Sequence, residues 1–385
     1  MSNQRIQVNA QSLKDFCKEV FEKLDVSTED AQVAADVLVA ADLRGIESHG
    51  VARLRTLYVD RLRAGMVMPR PNIRVLSETP STALLDGGTG LGHPTASRAM
   101  KLAIEKAQQV GTGFVTVRNS NHFGIAGYYA MMALENGCIG LTMTNSNRWV
   151  VPTFGRDAML GTNPIAVAVP SGKERPFVLD MATSTVSIGK LEVHDRLEKD
   201  IPLGWASDES GVPTTDPGLV LNNVKRSAGG GLLPLGGAGE EMGGYKGYGL
   251  AVWVDIFSAL LSSAQYADMV YPTEPDGKPH TAHVGHFFGA WRVDAFRPLS
   301  EFEAAMDDLL HRLKSSPRAE GQKRIYVAGE KEFEETERRM RDGIPMPDIV
   351  VADLKALGSE FGVAFTASEF DSQSQNAQPS ENTLE

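Results

Sequence analysis

Three places in the sequence carry residue types that can do chemistry. His122 stands in Asn121-His122-Phe123-Gly124, after an alternating stretch, Phe114 to Val117, that reads as a strand. Ile125 to Asn136 follows and reads as a helix closed by Gly137. A turn after a strand holds a side chain rigidly at a cleft, which suits an imidazole to proton transfer; a histidine that only hydrogen-bonds within a polar loop is the plain alternative. His49 and Arg53 form the second place. With Ser48 as N-cap of a helix expected to run to about Ala64, their spacing predicts imidazole and guanidinium on one face of its first turns. Helix N-termini favour anions, and a guanidinium matches a carboxylate at two points, so the pair can clamp an acid. An incidental basic pair on a solvated helix start reads equally well. The third place is Lys246, in the glycine-dense stretch Gly229 to Gly249 that leads into an apolar helix, Leu250 to Leu261. A mobile loop ending in lysine can hold a phosphate or close over a ligand, and it can also be a plain connector.

Other features carry less chemistry. Asp86-Gly87-Gly88-Thr89-Gly90-Leu91-Gly92 lies before a helix expected from Pro94 to Val110, but its spacing departs from the Gly-x-Gly-x-x-Gly dinucleotide fingerprint, so an ordinary turn is expected. His280, His283 and His286 lack an acidic partner at helical spacing, and no metal site is expected.

The elements that must position these residues follow in order. Apolar residues at helical spacing predict helices over about Ser12–Leu24 and, from a capping-box start at Ser27 and Asp30, through Ala41. Pro69 to Pro80 reads as an extended crossing and Ala83 to Leu85 as a strand. Further strands are expected at Ile139 to Thr144, Ile165 to Val169, Pro176 to Leu179 and Val284 to Phe296, the last of them buried. Helices are expected at Ser184 to Arg196, Glu301 to Lys314, Glu332 to Arg341 and Asp348 to Phe361, with a hairpin in Trp205 to Pro217. Beyond Phe365 the Ser-, Gln-, Asn- and Glu-rich tail is expected to be disordered.

With 385 residues, 42% hydrophobic and 23% charged, the chain has the composition of a soluble globular protein large enough for two units. Its net charge of -11 argues against nucleic acid or an anionic membrane as main partner. No stretch approaches a membrane span or reads as a secretory signal, so the cytoplasm is the expected compartment. Cys17 and Cys138 sit in apolar patterns and read as buried thiols.

Five segments, kept in order, carry a family resemblance: Glu47-Ser48-His49-Gly50-Val51-Ala52-Arg53, Asn121-His122-Phe123-Gly124, Gly161-Thr162-Asn163-Pro164, Leu179-Asp180-Met181-Ala182-Thr183-Ser184 and Gly244-Tyr245-Lys246-Gly247-Tyr248-Gly249. Together they resemble the malate/L-lactate dehydrogenase family of the second type. That family also holds sulfolactate and ureidoglycolate dehydrogenases, diketogulonate reductases and a cyclic imino acid reductase.

The resemblance spans residues from about 8 to 362. It implies an α/β fold that is not the Rossmann one: a three-layer sandwich with a mixed, largely antiparallel sheet. An N-terminal helical segment (1–75) would pack with C-terminal helices (about 300–362) beside a binding domain (76–299), and two chains would form a homodimer. It implies a nicotinamide cofactor, NAD or NADP, and a small carboxylic acid substrate interconverted between 2-hydroxy and 2-keto forms. His122 would be the general acid/base and Arg53 the carboxylate clamp, with Ser48 and His49 lining the reaction centre.

His49, Ser146, Asp180, Met181, Ala182 and Lys246 would touch the cofactor, joined by Gly329, Glu330 and Lys331 from Val327-Ala328-Gly329-Glu330-Lys331. The chain departs from the family at Asn223 to Glu241 and at Arg148-Trp149, which leaves open a keto sugar acid, ureidoglycolate or cyclic imino acid as substrate. A noncatalytic nucleotide-binding protein is the rival from another class.

Overall fold

The structure, a computed structural model, describes residues 5–272 and 280–366; the tail expected to be disordered lies, from residue 367, outside the described residues. The strands are β1 (Arg5–Val8), β2 (Arg74–Glu78), β3 (Thr82–Asp86), β4 (Thr112–Ser120), β5 (Cys138–Thr144), β6 (Ile165–Val169), β7 (Phe177–Met181), β8 (Ala206–Ser207), β9 (Pro213–Thr214), β10 (Gly231–Leu232), β11 (Val284–Arg292) and β12 (Ile344–Pro347). The helices are α1 (Ala10–Lys23), α2 (Thr28–Leu43), α3 (Asp60–Arg63), α4 (Gly92–Val110), α5 (Ala126–Met132), α6 (Ile188–Arg196), α7 (Pro217–Arg226), α8 (Gly244–Asp255), α9 (Leu299–Ser315), α10 (Glu330–Asp342) and α11 (Asp348–Phe361).

Seven strands form the main sheet in the order β2-β3-β4-β11-β5-β6-β7. Among the described residues of this sheet only β3 and β4 pair in parallel, bridged by the α4 crossover; its other pairs are antiparallel. The unbroken apolar run of β11 suits its central place, where both faces are covered. Alternation along the strands sends Val115, Val117, Ala166, Ala168 and Phe288 to the face covered by α4 and α5. Leu141, Met143, Ile165 and Phe287 face the other way, against Val254 of α8. This is the three-layer, largely antiparallel arrangement the resemblance implied. The helices on the first face sit very close to the sheet: a Cβ on Gly113 would lie 2.0 Å from the Ala103 carbonyl oxygen, and one on Gly140 2.1 Å from that of Ala130.

Beside the sandwich, α1, α2 and α11 share a core that includes Leu13, Phe21, Leu38, Leu54, Leu354 and Leu357. The antiparallel pair β1–β12, not foreseen from the sequence, ties the two chain ends together. Ser27 caps α2 as expected, its Oγ accepting from the Asp30 N–H at 3.2 Å.

The helix expected from Ser48 to about Ala64 is not regular. Two 3-10 turns, Glu47–His49 and Val51–Arg53, lead into a π-turn, Leu54–Val59, and then α3. Gly50 is extended between the first two, and the cap is Asp42 rather than Ser48: its Oδ2 accepts from the Val51 N–H at 2.8 Å. Burial pushes the Asp42 carboxyl up to about 7, with Glu47 adding to the rise, against the Val51 hydrogen bond and Arg339. Other boundaries differ from expectation as well: α8 starts at Gly244 rather than Leu250 and gives way after Asp255 to a π-turn, Ile256–Leu260. The helix after Ser184 starts only at Ile188, the last sheet strand stops at Arg292, and the Asn223 to Glu241 stretch begins inside α7, which Asp216 and Pro217 start in the usual way.

Candidate active site

His122 is held from behind by the glycine-rich turn that precedes α4. Asn121 Nδ2 donates to the carbonyl oxygens of Thr89 and Gly90, at 3.1 and 2.9 Å, and a Cβ on Gly92 would lie 2.5 Å from the His122 carbonyl oxygen. The turn thus supports the histidine. Phe123, next in the loop, stacks on Tyr129 and on His286, with ring centroids 5.0 and 4.7 Å apart. His286 is fully buried, bonded to Ser120 Oγ (2.8 Å) and Thr144 Oγ1 (2.7 Å), so it belongs to the floor of the loop. Among the described residues no group of three or more His, Cys, Asp or Glu is placed to hold a metal ion.

The broken helical segment brings its residues to His122 from the other side. The His49 ring lies stacked 5.5 Å from the His122 ring, and Ser48 Oγ is 2.9 Å from His49 Nδ1. Arg53 donates through Nε to the Ser48 carbonyl oxygen at 2.9 Å, and its other end lies 3.9 Å from Glu192 of α6. Ser48, His49, Arg53 and His122 therefore share one site. Tyr58 completes it: its hydroxyl is 2.6 Å from His122 Nδ1. The sequence reading missed Tyr58 because it falls on the apolar stripe with Leu54, where an aromatic residue reads as core.

The charges explain the titration of the site. Burial, reinforced by His49, His93, Arg53 and Arg61, holds His122 well below the ordinary 6.5, and burial with Arg53 lowers His49 to about 4. Both rings are neutral at pH 7. A neutral imidazole is the form that accepts a proton. The sign follows: the active base is present above the lowered pKa and is lost as pH falls through it. The acid limb of kcat/KM for oxidation of a 2-hydroxy acid should therefore lie below pH 6.5, as a pH–rate series checks.

A cavity of about 290 Å³ opens at the edge of β7, lined by Arg44, Ile46, Asp180, Tyr326, Gly329 and Lys331 among others. Arg44 is only 7% exposed and, among the described residues, has no carboxylate within ion-pair distance; it lies over the Phe333 ring and donates to Met131 Sδ at 3.5 Å. A buried cation that feels the Glu332 and Asp180 carboxylates but pairs directly with neither can still take an anionic group of a dinucleotide. Asp180 accepts from the Gly127 N–H at 2.7 Å at the start of α5, and burial raises its carboxyl to about 6.

Of the other residues expected at a cofactor, Met181 and Ala182 follow Asp180 at the end of β7, partly exposed. Ser146 is built into the Gly161-Thr162-Asn163-Pro164 turn: Asn163 Oδ1 accepts from its N–H at 3.1 Å, and its Oγ accepts from the Thr162 N–H at 3.1 Å. Lys246 stands exposed in the first turn of α8, its ammonium 5.7 Å from the Tyr245 ring. The glycine loop before it is folded tightly on itself, since a Cβ on Gly244 would lie 2.0 Å from the Gly237 carbonyl oxygen. The Glu330 carboxylate does not line the cavity. It pairs with Lys314 (3.1 Å) and Arg324 (3.2 Å) and accepts from the Val327 N–H, which fixes the loop that carries Gly329 and Lys331.

The two stretches that depart from the family meet. Arg148 donates to Ser227 Oγ at 3.2 Å, beside a second cavity of about 390 Å³ lined by Arg148, Arg156, Asn223, Ser227, Gly229 and Asp268 among others.

A sandwich without the Rossmann order, with a neutral histidine sharing one site with a guanidinium and, apart from it, a cavity lined by a buried cation, has the parts a hydride-transfer enzyme uses. The chain matches the malate/L-lactate dehydrogenase family model over residues 8–355 and belongs to that family. It is 49% identical to the malate dehydrogenase of Pyrococcus horikoshii over 93% of this chain and 96% of that one. It is 39% identical to the L-sulfolactate dehydrogenase of Methanocaldococcus jannaschii, over 91% and 96%. The crystal structure of malate dehydrogenase from Entamoeba histolytica superposes with a TM-score of 0.89 at 39% identity, covering 94% of this chain and 99% of that one. The chain is an oxidoreductase of the 2-hydroxy acid dehydrogenase kind, and its family implies a nicotinamide cofactor.

Proposed function

We propose that this enzyme interconverts malate, or a 2-hydroxy acid of similar size, and its 2-keto acid, with His122 as the general acid/base. The observation that carries the reading is the grouping of neutral His122 with His49 stacked on it and with Arg53, held to the Ser48 carbonyl oxygen and near enough for its charge to act on His122. Hydride exchange is the chemistry that NAD or NADP supplies when bound. Around it, Arg53 fixes the substrate carboxylate, and His122 takes the hydroxyl proton in oxidation or returns one to the carbonyl oxygen in reduction. Ser48 orients His49 through Nδ1. Arg44, Asp180, Met181, Ala182, Lys246, Gly329 and Lys331 hold the cofactor, Ser146 shapes its edge, and Glu330 braces the loop.

The division of labour follows two units: the helical one, residues 1–75 with about 300–362, brings Ser48, His49 and Arg53, and the α/β body, 76–299, brings His122, Asp180 and Lys246. We place the enzyme in the cytoplasm; among the described residues no helix is long and apolar enough to cross a membrane. A panel of 2-hydroxy and 2-keto acids, followed at the nicotinamide absorbance with both cofactors, tests the reading. Turnover of malate and oxaloacetate above the other acids is expected, and no turnover of any acid would reject it.

The same reading includes a homodimer. Helix α8 and the π-turn after it expose Tyr245, Ile256, Leu260 and Leu261, each more than 40% accessible, and a monomer gains nothing from such a stripe. Sedimentation at micromolar concentration should give the mass of two chains; a single monomeric species contradicts this.

A further inference from the structure

The group behind His122 has a role of its own. Tyr58 is 1% exposed, and its ring is wedged between Phe21 and His93, with centroids 6.2 and 4.7 Å away. His93 is fully buried and neutral, and among the described residues its ring nitrogens have no hydrogen-bond partner. The Tyr58 ring is thereby fixed, and its hydroxyl bonds only His122 among the described residues. The π-turn over Leu54–Val59 brings it there, because a regular helix would turn position 58 away by roughly 100° for the one residue the π-turn adds.

Among the described residues two groups face His122 Nδ1: the Tyr58 hydroxyl at 2.6 Å and the Gly124 N–H at 3.4 Å. A backbone N–H can only donate. Tyr58 keeps its proton as well, since burial pushes the phenol far up. With two donors on Nδ1, the neutral ring carries its proton on Nε2. That form can donate to a ketone oxygen, as other neutral enzyme imidazoles do, but it cannot take a proton from an alcohol. For that, the ring proton must sit on Nδ1 and find an acceptor. The Tyr58 oxygen is that acceptor, because a hydroxyl turns without giving up its own proton, and the Gly124 contact it replaces is long.

We propose that Tyr58 is the positioning residue that sets the tautomer of His122, donating to Nδ1 when a ketone stands at Nε2 and accepting from Nδ1–H when an alcohol stands there. This rests on His122 being the acid/base. In oxidation a bound nicotinamide would accept the hydride as the substrate C–H breaks, while the O–H proton moves to Nε2 and the C–O bond becomes double. His122 is then an imidazolium whose Nδ1–H Tyr58 accepts. The Nδ1 proton then passes to solvent and returns the ring beside the ketone to the neutral Nε2–H form to which Tyr58 donates. Alcohol and oxidised nicotinamide thus give ketone, reduced nicotinamide and a proton, with Tyr58 a neutral phenol throughout; reduction takes the same steps in reverse, through the same imidazolium.

Tyr58→Phe keeps the ring and its packing and removes only the hydroxyl. Because a variant cannot change the reaction's equilibrium constant, kcat/KM should fall by the same factor in both directions, on the order of 10- to 100-fold, as when a histidine loses the outer group that orients it. KM for the acid and Kd for the cofactor should stay within about twofold. The separate readout is ¹⁵N NMR of the labelled imidazole. The wild-type enzyme should show Nε2–H in the free state and Nδ1–H in the dead-end complex with reduced cofactor and 2-hydroxy acid, whereas Tyr58→Phe should remain Nε2–H in both. An Nδ1–H tautomer in the free wild-type enzyme, no change on forming its complex, or unchanged kinetics in the variant would each overturn the proposal. Should Tyr58→Phe fail to fold, the wild-type spectra still decide. Turnover surviving in His122→Ala would instead reject the acid/base reading beneath it.

Discussion

Replacing His122 by alanine should reduce turnover in both directions by about 10²- to 10⁴-fold, the range that a positioned general acid/base supplies. Cofactor binding should survive. The imidazole lies at the end of β4, away from the cavity lined by Arg44, Asp180 and Gly329, and its loop is held by Asn121 and Phe123 rather than by the His122 ring. Steady-state rates with a fluorescence titration of the cofactor check both halves. A variant that turns over at a near-normal rate contradicts the assignment.

The second large effect is expected at Arg53. If its guanidinium grips the substrate carboxylate by two parallel hydrogen bonds, Arg53→Lys should raise KM for the acid on the order of 10- to 100-fold, because an ammonium offers a point charge without the planar fork. The structure adds a reason. Arg53 is anchored through Nε to the Ser48 carbonyl oxygen, and lysine has no nitrogen at that position. Cofactor affinity should change little in Arg53→Lys, whereas His49→Ala, which removes the ring stacked on His122, should disturb both constants. Titrating each variant with cofactor and then measuring KM would refute the clamp if Arg53→Lys weakened the cofactor and spared the acid.

What the sequence revealed and what it hid follow from the range of the forces involved. The strand, turn and helix around His122, the Ser27 cap and the buried central strand rest on periodicity and on neighbours a few residues apart, and such signals are local. The broken segment after Gly45 was hidden because a 3.6-residue period contains neither an extended Gly50 nor a π-turn, and because its cap, Asp42, lies nine residues before the N–H it accepts. Ser48, His49 and Arg53 still meet His122, although by a different geometry from the single helix face expected. Arg44 escaped notice for another reason: that a guanidinium is buried near Glu332 and Asp180 without a direct ion pair to either is a fact about the tertiary placement of distant segments. Glu330 shows the converse, since its partners Lys314 and Arg324 lie on other segments and turn its carboxylate from the cavity.

The most direct measurement is a single turnover. The protein, loaded with one equivalent of reduced nicotinamide cofactor, is mixed with a 2-keto acid such as oxaloacetate while the nicotinamide absorbance is followed. The absorbance should fall by one equivalent per site, at a rate at least about 10²-fold slower in His122→Ala, because only then does the histidine supply the proton that accompanies the hydride. An absorbance that stays constant with every keto acid, or that falls equally fast without His122, would contradict the account.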